Sequence, residues 1–185
     1  KKETVLLSHG PSVSQTYFFD SKLDNKDQLI SLKYLFNFKN RSQLSIGFQN
    51  QFIQLLSNFD PLRTGIAFLD EGTSHKWNNF TISYNSKPQN RFTYSLETIT
   101  GGYYSEGKRS AFMGEFGYRF QPFLELSSVV NFNQINLPAP WYNNSFWLLG
   151  VKANLTFTNT IFFSNLFQYN EQLGLWNFNS RFQWR

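Results

Sequence analysis

Three features of the sequence predict an all-β protein, a transmembrane antiparallel up-and-down β-barrel with about ten strands present. Apolar and polar residues alternate with a period of two in segment after segment. Charges keep to one of the two faces so defined. Tight connections alternate with looser ones along the chain, as in a meander whose two ends differ.

The elements follow in order. Val13 to Phe19 reads as the first strand, after a tight turn at Gly10 and Pro11. "LISLKYLFNF" (29 to 38), "QLSIGFQNQF" (43 to 52), "NFTISYNS" (79 to 86) and "RFTYSLET" (91 to 98) repeat the alternation. In "SAFMGEFGYRF" (110 to 120), Phe112, Phe116, Tyr118 and Phe120 oppose Glu115 and Arg119. "FLELSSVVNF" (123 to 132) sets Leu124, Leu126, Val130 and Phe132 against Glu125, Ser127 and Asn131. "FWLLGVKANLTFT" (146 to 158) sets Trp147, Leu149, Val151, Ala153, Leu155 and Phe157 against Lys152, Asn154 and Thr156. "TIFFSNLFQYN" (160 to 170) carries Phe on both faces and reads as a strand without a facing. "WNFNSRFQWR" (176 to 185) puts Trp176, Phe178, Phe182 and Trp184 on one side, Arg181 and Arg185 on the other. A helical stripe would mix Phe with Glu and Lys on these segments, so no helix is expected.

The connections 39 to 42, 87 to 90, 121 to 122 and 158 to 160 read as tight. Those at 20 to 27, 58 to 76, 104 to 109, 136 to 144 and 171 to 175 read as looser. Pro88, Pro122, Pro138 and Pro140 all fall in connections, where no ladder hydrogen bond is lost.

Composition narrows the classes. The chain has 185 residues, 19% of them aromatic with 22 Phe, and only 16% charged. No stretch of about 18 apolar residues exists for a membrane-spanning helix. Strands that alternate lipid-facing and lumen-facing residues need none. There is no cysteine, hence no disulfide framework. The net charge of +5 is dispersed rather than clustered, which argues against a nucleic-acid partner.

The charge pattern sets inside and outside. Lys33, Arg91, Glu97, Glu115, Arg119, Glu125, Lys152 and Arg181 are expected to face the lumen as an ion-pair network. Phe112, Phe116, Tyr118, Trp147, Val151, Phe178 and Phe182 are expected to face lipid. A Lys or Arg on the lipid face near the midplane would cost about 2–4 kcal/mol. Aromatics near strand ends suggest two girdles: Trp77, Tyr103, Tyr104, Trp141, Tyr142, Trp147 and Trp176 at the looser end, and Phe38, Tyr84, Phe92, Phe120, Phe157 and Trp184 at the tight end.

Chemistry-bearing residues are sparse. His75 adjoins Ser74 near Asp70 and Glu71, but neighbours in a loop or strand point apart, and a solvated loop explains them. Asp20, Asp24 and Asp27 do not have the spacing of a calcium loop and two lysines dilute their charge. Glu97, Glu115 and Glu125 could pair as glycosidase carboxylates, yet the cations on the same face favour ion pairs. No catalytic residue, cofactor or metal site is expected.

The blocks "GGYY", "YRFQP", "LPAP", "FFSNLFQYN" and "NFNSRFQWR" lie within residues 77 to 185. With them, this region resembles the membrane-barrel part of a family of large Bacteroidota outer-membrane proteins. In that family the barrel follows an N-terminal domain similar to ninth-family carbohydrate-binding modules. The resemblance implies that residues 1 to 185 are one barrel segment, incomplete at both ends, and it carries over no catalytic residue. It also implies location in the outer membrane of a Gram-negative bacterium, among lipid and lipopolysaccharide. Other outer-membrane proteins or glycans are the further partners it suggests. The expected role is non-enzymatic: channel, anchor or scaffold. The alternatives are a glycan-handling or assembly- and secretion-associated subunit of a larger complex, and a soluble β-sandwich lectin.

Overall fold

A computed structural model describes residues 5–185 as ten antiparallel strands in one sheet. In chain order they are β1 Leu6–Phe19, β2 Asn25–Phe38, β3 Gln43–Gln54, β4 Ser74–Asn85, β5 Phe92–Gly102, β6 Lys108–Phe120, β7 Leu124–Asn136, β8 Asn143–Thr156, β9 Ile161–Asn170 and β10 Leu175–Trp184. Each strand pairs with its sequence neighbours, so the topology is up-and-down throughout. The described residues form no helix. The strands are 10 to 14 residues long, against the five or six usual in globular sheets. β1 and β10 are not paired with each other, and the sheet is open.

Pairing extends further than the alternation of side chains suggests. Gly10 and Pro11 lie inside β1, opposite Leu35 and Tyr34, and form no turn. Proline is tolerated there because β1 is an edge strand, where half the N–H groups point away from the partner. Polar residues also continue the ladder at the looser end, as in Phe52↔Lys76, Gly102↔Lys108 and Asn136↔Asn143. The connections there shrink to residues 20–24, 103–107, 137–142 and 171–174, leaving 55–73 alone as a long one. The expected strict alternation of short and long connections is thereby lost: 86–91, at the tight end, outlasts 171–174.

The register fixes the faces. One row of directly paired residues runs Leu44, Tyr84, Leu96, Gly114, Val130, Leu149, Tyr169, Trp176 from β3 to β10. Leu44 is the second residue of β3 and Tyr169 the ninth of β9, and both strands start from tight turns. The row thus climbs about seven residues over six strand steps. At roughly 3.3 Å per residue and 4.8 Å per step, the strands lean about 40° away from the normal to the line of turns. That lean lies in the range that closed barrels need.

Curvature follows from the long connection. Leu62 lies seven residues past Leu55, a reach of at most about 25 Å, and the bridge Phe59↔Leu69 shortens it further. Yet the Leu62 carbonyl accepts a hydrogen bond from Gln172 Nε2 at 2.8 Å, on the far side of β9. On a flat, staggered sheet the tops of β3 and β9 would stand more than about 30 Å apart. The sheet must therefore curl, with the face under residues 55–73 concave.

Gly101 and Gly102 close the β4–β5 pair tightly. A Cβ on Gly101, at φ 156°, would sit 2.2 Å from the Asn78 carbonyl oxygen. Gly101→Val is expected to cost about 2 kcal/mol or more. Gly174→Ala, at φ 63° with open space around it, is expected to cost only about 1 kcal/mol. Thermal unfolding followed by circular dichroism should rank them in that order; equal melting points would contradict the packing described.

Candidate functional site

The two faces of the sheet differ in chemistry below the long connection 55–73. The convex face carries Phe36, Tyr34 and Leu32 on β2, Phe80, Ile82 and Tyr84 on β4, and Phe112, Phe116, Tyr118 and Phe120 on β6. It continues with Phe132, Trp147, Val151, Phe167, Phe178 and Phe182. Strand β9, left without a facing by its sequence, puts Ile161, Phe163, Phe167 and Tyr169 here. No second layer covers this face among the described residues: Val151 is 52% exposed, Phe182 64% and Phe178 67%. Rings pack along it in tilted pairs, as in Tyr118–Phe120 at 4.4 Å, Phe132–Trp147 at 4.6 Å and Tyr169–Trp176 at 4.3 Å between centroids. The seven apolar residues expected on one side all stand here.

The concave face holds Lys33, Glu97, Glu115, Arg119, Glu125, Lys152 and Arg181 on its strands; Arg91 sits in the turn one residue before β5. The expected ion-pair network does not form. Register places Glu115 opposite Ser95 and Val129, Lys152 opposite Ser127 and Leu166, Glu97 opposite Ser83 and Met113, and Arg181 opposite Ser164. Arg119 and Glu125 alone of this set are directly opposed, and their groups meet at 3.7 Å. From there Asn154 Nδ2 donates to Glu125 at 3.3 Å, and Ser164 Oγ donates to Asn154 Oδ1 at 2.7 Å. The pair is half-exposed and worth little by itself.

Nearly all the buried apolar packing lies on this concave side, under residues 55–73. One cluster joins Leu55, Leu69, Trp77 and Tyr104; the second joins Leu62, Ile135, Leu137 and Phe146. Tyr103 and Trp141 touch both. Trp77, Tyr103, Tyr104 and Trp141 therefore do not belong to a girdle on the convex face. Period two sends Trp77 inward with His75 and Asn79, and residues 55–73 then fold over it. Trp141 Nε1–H donates to the Ala67 carbonyl at 2.9 Å, and the Arg109 guanidinium donates twice to Asn133 Oδ1, at 2.7 and 3.2 Å, while lying over the Tyr103 ring.

Asp60 knots the tip of this strap. Its carboxylate accepts from the N–H groups of Leu62 at 2.9 Å and Gly65 at 2.6 Å, and from Thr64 Oγ1 at 3.4 Å. Gly65 adopts φ 74°, a left-handed conformation that glycine takes without strain. Burial would raise the carboxyl, but the backbone N–H groups of Gly65, Leu62, Thr64 and Arg63 outweigh it and hold Asp60 below its ordinary 3.8. Burial, seconded by Tyr103, pushes the Tyr104 phenol up to about 12.

The residues weighed for chemistry are in structural use. Asp20 accepts from the N–H groups of Lys22 at 2.8 Å and Asp24 at 3.0 Å and pairs with Lys26 at 3.3 Å, as a turn cap does. His75 stands on the concave face, 3.1 Å from Thr73 Oγ1 and edge-on to Tyr104, while Ser74 points to the other side. His9 pairs with the hydroxyl of Tyr34 on the convex face. A groove of about 370 Å³ opens below the strap, with Asn131, Lys152, Gln168, Asn170 and Asn177 over an apolar floor of Val129 and Leu148. The strap and groove carried no sequence signal beyond the length of 55–73.

No family model matches the chain, and no match was found among curated proteins or solved structures.

Because Asp60 titrates below its ordinary value, its carboxylate stabilises the strap above pH 3.8. That contribution is lost as the pH falls below 3.8 through the lower folded value. Limited proteolysis should show cleavage within residues 61–68 appearing on acidification through this range. Asp60→Ala should show it already at neutral pH, through a loss of about 1–3 kcal/mol. A strap equally protected in the variant would contradict the assigned role of Asp60.

Proposed function

We propose that this chain forms part of the wall of an outer-membrane β-barrel in a Gram-negative bacterium, with a non-enzymatic role as channel, anchor or scaffold. The single observation that carries the reading is the pairing of curvature with chemistry. Below the strap the concave face is mainly polar and the convex face mainly apolar, with its rings uncovered. A soluble barrel or sandwich would need the reverse, its apolar face turned inward and close-packed. Lipid covers a convex apolar wall without any jigsaw fit.

Dimensions support it. On β6, β7, β8, β9 and β10 the apolar stretch runs nine residues, from Phe120 to Phe112, Leu124 to Phe132, Leu155 to Trp147, Ile161 to Tyr169 and Trp184 to Trp176. Nine residues at a lean of about 40° rise roughly 20 Å, close to the ~25 Å apolar band of such barrels. The strap then lies across the lumen at one end, narrowing it. The resemblance to Bacteroidota barrels points the same way. Glycan handling, alone or within a larger complex, is the second reading, and the amide-lined groove beneath the strap favours it.

Membrane extraction tests the first reading. The protein should sediment with outer membranes and dissolve only in detergent; recovery in the soluble fraction without detergent would defeat it. Phe116→Arg should abolish assembly, at about 2–4 kcal/mol, whereas Arg119→Phe on the concave face should assemble. The opposite ranking would mean that the faces are reversed.

A further inference from the structure

The convex face carries three lysines, Lys26, Lys76 and Lys108, and all stand at the strap end, each past the last convex ring of its own strand, with Phe52 of β3 opposite Lys76. Among the described strand residues it carries no Asp or Glu. Lys26 is occupied: it pairs with Asp20 and donates to Gln54 Oε1 at 2.8 Å. Lys76 and Lys108 are exposed and make no ion pair among the described residues.

Between these two lysines the wall has a gap. Gly102 of β5, opposite Lys108 and past the last β4–β5 pair, puts no side chain between β4 and β6. The gap is rigid. A Cβ on Gly102 would come within 2.6 Å of the Trp77 Cβ, and the Trp77 ring is itself locked in the cluster under the strap. With its amide oriented by its neighbours, Asn79 donates to the Gly102 carbonyl at 3.0 Å and accepts from Trp77 Nε1 at 3.2 Å. The result is a cleft of about 450 Å³ lined by both lysines, Asn78, Thr100, Ser110 and one carboxylate, Glu106. Thr100 and Ser110 hydroxyls meet at 3.0 Å, and Asn78 accepts from Asn50 at 2.7 Å, so a row of polar groups borders the gap.

Height selects the ligand. Lys76 and Lys108 lie four residues beyond Phe80 and Phe112 on their own strands. On strands leaning about 40° this puts the lysines roughly 10 Å above those two rings, at headgroup level, where Phe52 stands opposite Lys76 as an interfacial ring does. We propose that the Lys76–Gly102–Lys108 cleft binds the phosphorylated sugar headgroup of an outer-leaflet glycolipid, a lipopolysaccharide. The ammonium groups take phosphate, the glycine gap admits the sugar ring, and Asn78, Thr100 and Ser110 meet its hydroxyls. The site rests on the outer-membrane reading above and assigns the strap end to the cell exterior.

The test uses the full-length protein in phosphatidylcholine nanodiscs, with phosphorylated lipid A, phosphatase-treated lipid A and inorganic phosphate as probes. The K76Q/K108Q double variant should bind phosphorylated lipid A roughly tenfold or more weakly. K76R/K108R should keep binding, and Lys33→Gln, on the concave face, should leave it unchanged. Phosphatase-treated lipid A should bind all forms equally weakly. Undiminished binding by the double variant would overturn the site. Saturation by inorganic phosphate alone, with no gain from the lipid, would make it a free-anion site and overturn the glycolipid assignment. Failure to enter nanodiscs would defeat the membrane reading itself; insertion without preference for the phosphorylated lipid would defeat only this proposal.

Discussion

Strand register is the constraint on which everything else depends. In a single-layer sheet a slip of one residue at any pairing would carry that strand's rings to the concave side and its charges to the convex side. Among the described residues nothing packs against the convex face to forbid this, so the register must be held elsewhere. The tight turns 39–42, 86–91, 121–123 and 157–160 hold it at one end. Cross-strand ring pairs such as Phe132–Trp147 and Tyr169–Trp176 hold it along the strands.

The strap supplies what the ladder cannot. Backbone pairing alone leaves a sheet free to flatten, but residues 55–73 tie the β3–β4 rim to the β7–β8 and β9–β10 connections through Trp141 and Gln172. Leu62, only 1% exposed, anchors that tie in an apolar pocket between Ile135, Leu137 and Phe146. Hydrophobic burial, which a globular protein spreads through its core, is thus concentrated where it bends the wall. Asp60 keeps the tip compact enough to fit, exchanging water for backbone N–H groups inside the turn. Curvature, polar concavity and strap are in this sense one feature.

The sequence revealed what depends on period two and hid what depends on neighbours across strands. Ten strands, the absence of helix and the facing of Phe116, Val151 and Phe178 all follow from alternation within single segments. The place of Trp77 and Trp141 is not legible there, because an aromatic at a strand end serves equally in a girdle or beneath a folded loop, and only the path of residues 55–73 decides. Apart from Arg119–Glu125, the expected ion pairs are missing for a related reason. Charges shared by one face pair only when register opposes them, and register put serine or an apolar residue across from Glu97, Glu115 and Lys152. The Gly102 gap was equally hidden, since a glycine matters there only for what stands on β4 and β6 beside it.

The open edges complete the physical argument. β1 and β10 each present a row of unpaired backbone groups, and in hydrocarbon every such group costs several kcal/mol. Under the outer-membrane reading, both edges must pair with strands. The geometry those strands must adopt is already set. Tilt depends on the stagger per strand, just over one residue along the row from Leu44 to Tyr169, whereas diameter depends on strand number. Strands that complete the wall therefore have to repeat this stagger and turn their apolar residues outward. A partner that paired in a flat register would bring the edge of the apolar band out of line with lipid.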